Sequence, residues 1–312
     1  MKPIRKKAVS TSLSFDFNTV ARQALREHPE IKKDILFVDA LNDNYLASTA
    51  TLASLDDDDD AQEELGKTVK QAKRLRTSFA QAIMIDRQKT INAIVFHPDR
   101  HPLFDPQDRN IDNIGTIDHE LGHVLVPSAE RTHGENVADA YAILRHLQRF
   151  DGRQTDIGYA AWKRAMVFIT GGHTSHLTTF TIDKIIADSK SADFISLTPA
   201  QTVAIARDYA RKHTRGQEKL SQLAADFHTA RGMRLTPTLF EEIARITLAT
   251  DAKSDTFYLG ARALLPVLAS TQVTLNGKTI ALRGPEWDIV RVQLAKKMTE
   301  LPARHPIRQI KM

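Results

Sequence analysis

Cysteine is absent from the 312 residues. This excludes a disulfide scaffold, a thiolate-ligated metal and a thiol nucleophile together. Any metal must be held by His, Asp or Glu. No stretch approaches the roughly 18 apolar residues of a membrane-spanning helix. The basic opening MKPIRKKAVSTSLSF has no continuous apolar run behind it and does not read as a secretory signal. A cytoplasmic protein with no membrane partner is expected. A strong excess of one charge sign is also missing: 43 Lys and Arg stand against 38 Asp and Glu, a formal net charge of +5. The basic residues are interspersed with acids, as in RDYARKHTRGQEK (207–219). Such patterns form solvated helix faces. No groove-reading motif or aromatic–basic interleaving accompanies them, so nucleic acid is not the expected partner.

What is present is mostly helical patterning around a few strand signals. Helices are expected over 16–28, 60–84, 113–126, 133–150, 156–169, 198–213, 217–230, 237–249 and 285–300. Thr198-Pro199 and Thr236-Pro237 are N-cap signals with proline at the first helical position. Ile35 to Val38 and Thr90 to Phe96 (TINAIVF) read as strands, and the Pro- and Asp-rich segment 97–110 as a loop. Asn276-Gly277 within VTLNGKTIAL (273–282) signals a hairpin. The five aspartates Asp56 to Asp60 suit a helix N-terminus, where acids favour the positive end of the dipole. The fold class expected is α+β, predominantly helical. A mixed N-terminal lobe (1–110), a helical core (111–190) and a mostly helical C-terminal part with the hairpin (191–312) are expected.

The chemistry concentrates at His119-Glu120-Leu121-Gly122-His123. On a helix, residues four apart lie one turn apart on the same face, so His119 and His123 can share one tetrahedral zinc. Glu120 between them takes the general-base position of H-E-x-x-H. Gly122 costs helix propensity and lets a backbone approach. Ile114, Ile117, Leu121, Val124 and Leu125 form the apolar stripe, and the histidines lie off it. A catalytic zinc needs a third protein ligand, and the candidates are His133, Glu135 and Asp139. Val126-Pro127 ends one helix and Thr132 is a good N-cap for the next. The short connection, centred on Ala129, makes an antiparallel pair. His123 and Glu135 are each 6 residues from Ala129, and His119 and Asp139 are each 10. Glu135 can therefore face the zinc beside His123, and Asp139 can accept the free ring N–H of His119. Thr132 with Glu135 also spells a capping box. His133 lacks the glycine-spaced arrangement of metzincins.

His119-Glu120-Leu121-Gly122-His123 followed by Glu135-Asn136-Val137-Ala138-Asp139 resembles the gluzincin metallopeptidases, which pair H-E-x-x-H with E-x-x-A-D. The likeness covers about 118–142. Its gap of 11 residues between the second His and the Glu is shorter than in thermolysin-like enzymes, and is more like small bacterial metallopeptidases of unassigned substrate. It implies a zincin-like core with zinc ligands His119, His123 and Glu135, base Glu120 and Asp139 behind His119. It also implies a peptide or protein substrate, with TINAIVF in the place of the strand that aligns it. Zinc-dependent peptide hydrolysis is the expected activity. A regulatory zinc protein without turnover is the alternative, followed by a nucleic-acid-associated protein with structural zinc. For the oxyanion donor, His176 is the first candidate and His173 the second, with Tyr141 and Tyr159 behind them. His97 and His101 read as surface histidines, and His146 as too far along its helix for the metal.

Overall fold

The computed structural model describes residues 15–85, 89–98, 109–126, 131–152, 155–269, 273–275, 278–303 and 305–309. The fold is α+β and mostly helical, with a four-stranded mixed sheet near the N-terminus. The strands are β1 (Ile35–Asp39), β2 (Asn44–Ala47), β3 (Phe79–Ile85) and β4 (Lys89–Phe96), in the order β2-β1-β4-β3. β1 pairs parallel with β4, and the outer pairs are antiparallel. All five residues of β1 are buried, which is why it reads as a continuous apolar run rather than an alternating one.

One face of the sheet is covered by α2 (Thr49–Asp56) and α3 (Asp59–Leu75). Leu55, Leu65 and Val69 pack there against Leu36, Val38, Ile83 and Val95. The aspartate run ends α2 and starts α3: Asp58 caps the helix by accepting from the Ala61 N–H at 2.9 Å. The other face is covered by α1 (Phe17–Glu27) and α4 (Arg109–Leu125). Here Phe37, Ile94 and Phe96 meet Phe17, Val20, Ile117 and Leu121. The expected apolar stripe of α4 is thus the face pressed on the sheet, and it leaves the histidine face free.

α4 packs against α5 (Arg131–Arg149), which is followed by α6 (Thr155–Gly171), α7 (Thr179–Asp188) and α8 (Pro199–His213). A separate apolar core holds α9 (Gln217–Asp226), α10 (Pro237–Ala249), α11 (Asp255–Leu268) and α12 (Pro285–Thr299) against α6. Strands β5 (Val273–Leu275) and β6 (Lys278–Ile280) form the expected hairpin; its turn, Asn276-Gly277, lies outside the described residues. No helix among the described residues is long and apolar enough to cross a membrane.

Three expectations fail. The helix expected over 60–84 stops at Leu75, and residues 79–84 belong to strand β3. Arg76 ends it with φ of +53°, a left-handed cap normally filled by glycine, so the sequence carries no stop signal there. TINAIVF is a central strand, paired on both sides, and β3 takes the sheet edge instead. Helices α7 and α11 and strand β2 were not expected. α11 is buried on nearly every side from Thr256 to Leu265, so it shows no contrast between faces.

Candidate metal centre

α4 and α5 are held unusually close by two small residues. A Cβ on Gly122 would sit 2.7 Å from the Ala138 Cα and 3.2 Å from its carbonyl oxygen, nearer than real Cβ contacts allow. The approach that Gly122 permits is therefore of helix to helix, rather than of backbone to metal. It brings the ligand face of each helix within reach of the other.

At that contact three side chains converge. The His119 and His123 Nε2 atoms are 3.2 Å apart. Glu135 Oε2 is 3.6 Å from His119 Nε2, and its Oε1 is 3.7 Å from His123 Nε2. Zinc bonds of about 2.0–2.1 Å in tetrahedral array require ligand atoms roughly 3.3–3.4 Å apart, the tetrahedron's edge. The observed distances, which involve both oxygens of Glu135, are near that size, and one ligand atom from each residue can be chosen with all three within 4.8 Å of one another. Among the described residues this is the group of metal-ligating side chains that meets such a test. Glu120 is outside the triangle but lines the same cleft.

The outer contacts orient the ligands. His119 Nδ1 lies 2.7 Å from Asp139 Oδ1, so its ring N–H donates to the carboxylate and leaves Nε2 for a metal. Asp139 also accepts from Thr178 Oγ1, and from Arg164 Nε at 2.7 Å and Nη2 at 2.8 Å. Glu135 Oε2 lies 3.0 Å from His176 Nδ1 and 3.8 Å from Arg164 Nη2. The helix α5 begins at Arg131, which puts Thr132 inside the first turn. Glu135 turns to His176 and the two histidines, and no bond joins it to Thr132 among the described residues. The loop 127–130, with the Ala129 midpoint, lies outside those residues, yet the pairing of His123 with Glu135 and His119 with Asp139 is as the register requires.

Burial and charge set the protonation states. Burial works against a charged His119, but the Asp139 carboxylate offsets it and raises the ring above its ordinary 6.5. Burial and the His119 ring push His123 down to about 4. Burial raises Glu120 above the usual glutamate value, helped by the charge of Glu135 and opposed by His119 and a hydrogen bond from the Ala80 backbone. Burial also opposes ionisation of Glu135 and Asp139. The His176 contact and the charges of His119 and Arg164 outweigh it for Glu135, and Arg164 and His119 do so for Asp139. The two carboxylates thus stay ionised and His123 stays neutral.

The centre opens into a cleft of about 860 Å³. One wall is β3 with the residues before it, from Arg76 to Ala82. The other comes from α4, α5, α6 and the short turn Thr174–His176. His176 lines the cleft but His173 is exposed outside its lining, with its ring 6.3 Å from that of His176. Tyr159 lines the cleft, whereas Tyr141 is fully buried and bonded to His28 Nε2 at 2.8 Å. His146 is buried at the cleft wall, outside the ligand triangle, and His133 is outside both. His97, expected at the surface, is 4% exposed and lines the cleft; His101 lies outside the described residues. Arg164 was missed because it reaches the site from α6, 25 residues beyond Asp139, with no motif to mark it. No protein-family model, curated protein or solved structure matches this chain.

Proposed function

We propose that the protein is a zinc-dependent metallopeptidase with a zincin-like core, hydrolysing peptide bonds in the cleft beside α4. The observation that carries the reading is the ligand triangle of His119, His123 and Glu135, with Glu120 beside it and Asp139 behind His119. Zinc held there supplies Lewis-acid polarisation of a carbonyl and makes water more acidic near neutral pH. Glu120 is the general base: it takes the proton from the attacking water and passes it to the leaving amine. Its raised pKa suits both halves of that transfer, since a base poised nearer neutrality also serves as an acid. Asp139 and Arg164 hold His119 in the tautomer that offers Nε2. His176 steadies Glu135 by donating its Nδ1–H to the carboxylate; stabilising a developing oxyanion from the cleft wall would require a second proton on its Nε2. The free edge of β3 aligns the substrate by main-chain pairing.

The test has two parts. Protein purified without added metal should contain one zinc per chain by elemental analysis. Glu120→Gln should retain that zinc and lose peptide hydrolysis. Absence of zinc, with none taken up on titration, would remove the basis of the proposal. Zinc lost on Glu120→Gln would make Glu120 a ligand and the mechanism wrong.

A further inference from the structure

His97 is nearly buried, yet it lines the cleft. Its backbone is clamped: the His97 N–H donates to Ser78 Oγ at 2.8 Å, and that hydroxyl donates back to the His97 carbonyl at 3.1 Å. Its ring is clamped as well, with Nδ1 3.1 Å from the Pro98 carbonyl oxygen. A carbonyl can only accept, so Nδ1 carries the proton and Nε2 of the neutral ring keeps its lone pair. Nε2 has no hydrogen-bond partner among the described residues, and it is not one of the buried atoms left without one. The accessible part of the ring is therefore a preoriented acceptor at the cleft wall.

Its position along the substrate follows from the sheet. Phe79 pairs with Val95, so His97 lies alongside Thr77 and Ser78. Ala80, whose backbone bonds Glu120, is two to three residues further along β3. At about 3.3 Å per residue, His97 is roughly 7–10 Å from the point where the strand meets the general base. A peptide on the free edge of β3 lies two strand spacings, roughly 10 Å, from the backbone at His97, with β3 between them. A long side chain two or three residues from the scissile bond, directed over β3 into the cleft, spans that gap together with the ring at the cleft wall. Arg76 lines the same end of the cleft and disfavours a cation there. We infer that His97 is a specificity-determining residue, accepting a hydrogen bond from a long neutral donor side chain such as Gln at that distance from the scissile bond.

This inference rests on the peptidase reading, and the test separates the two. Peptide hydroxamates anchor to zinc and set the register without turnover. Two series, extending on either side of the chelating group, would carry Gln or Leu at the second or third residue. Binding is measured to the zinc-loaded Glu120→Gln protein, alone and combined with His97→Phe or His97→Gln. In one series Gln should bind roughly fivefold tighter than Leu, the factor expected of one neutral hydrogen bond. His97→Phe should erase the preference, and His97→Gln, which keeps an acceptor, should restore part of it. Thermal melts show whether each variant is folded. Equal binding of Gln and Leu peptides in both series, or a preference that survives in both variants, overturns the role of His97 alone. Failure of every hydroxamate to bind a zinc-loaded protein overturns the peptidase reading as well.

Discussion

Asp118 and His119 are neighbours in the chain, about 100° apart around α4, and they build two polar clusters of different kinds against α5. Asp118 is 1% exposed and takes Arg149 side-on, with Nη2 at 3.0 Å and Nε at 3.1 Å. Arg149 also donates to Gln23 of α1 at 2.5 Å, and Arg145 beside it pairs with Glu27. There each acid meets a base, and the cluster locks α1, α4 and α5 together. The His119 cluster uses the same Arg–carboxylate pairing, Arg164 with Asp139, but only as a support. In front of it the Nε2 atoms of His119 and His123 lie 3.2 Å apart, and the Glu135 oxygens lie 3.6 and 3.7 Å from them, an arrangement that one cation could join. The first cluster pairs its charges within the chain, whereas the second gathers donor atoms that a metal ion could share.

Removing a ligand should break the comparison most sharply. His119→Ala, His123→Ala or Glu135→Ala should abolish zinc retention in a competitive chelation assay, while Glu120→Gln should keep zinc and slow hydrolysis by roughly 100- to 10,000-fold. A variant of Glu135 that keeps its zinc would reduce that residue to a helix-end role.

The Asp118 cluster should respond in stability instead. Asp118→Ala leaves Arg149 buried without its partner and should cost about 3–5 kcal/mol in denaturant unfolding. Its zinc content should remain one per chain. Loss of zinc at unchanged stability would show that the two clusters are one functional unit.

Gly122→Ala tests the contact between the helices. The added methyl meets the Ala138 backbone, so the cost should be about 1–3 kcal/mol, with weakened zinc binding as the ligand faces separate. Unchanged zinc affinity would mean that the spacing has slack.

Asp139→Asn should weaken zinc binding or activity by roughly 10–100-fold. It should also remove a pH signature. Asp139 ionises below its usual range and His119 titrates above 6.5, so their pair stabilises the zinc-free protein between those limits. That contribution disappears as pH rises through the raised His119 value, and it disappears at the acid end when Asp139 is protonated. Zinc needs a neutral His119, so the gain in melting temperature on adding zinc should grow as pH rises through the same value. A pH-independent gain would place the titrating group elsewhere. The smallest effect is expected for His133→Ala, which should change neither zinc affinity nor hydrolysis. Zinc lost from that variant would make His133 a ligand.

The metal centre was legible because its geometry is local. Spacing of four along α4 and equal distances from one short loop are enough to bring His119, His123, Glu135 and Asp139 together. The same locality explains the helices read correctly from 198 to 249, each with a cap or a clear apolar face. Where the deciding partner is distant the sequence is silent. The arginine cap at Arg76 hides the start of β3, and the uniformly apolar α11 shows no face. Arg164, His176 and His97 carry no local mark of the site they reach. Sequence alone determined which side chains of α4 and α5 converge, because a helix repeats every 3.6 residues and a tight hairpin preserves register. Tertiary structure decided the rest: which strand is the free edge, which histidine faces the cleft and which arginine holds the second carboxylate. Those depend on long-range packing, where contacts between elements far apart in the chain outweigh any local preference.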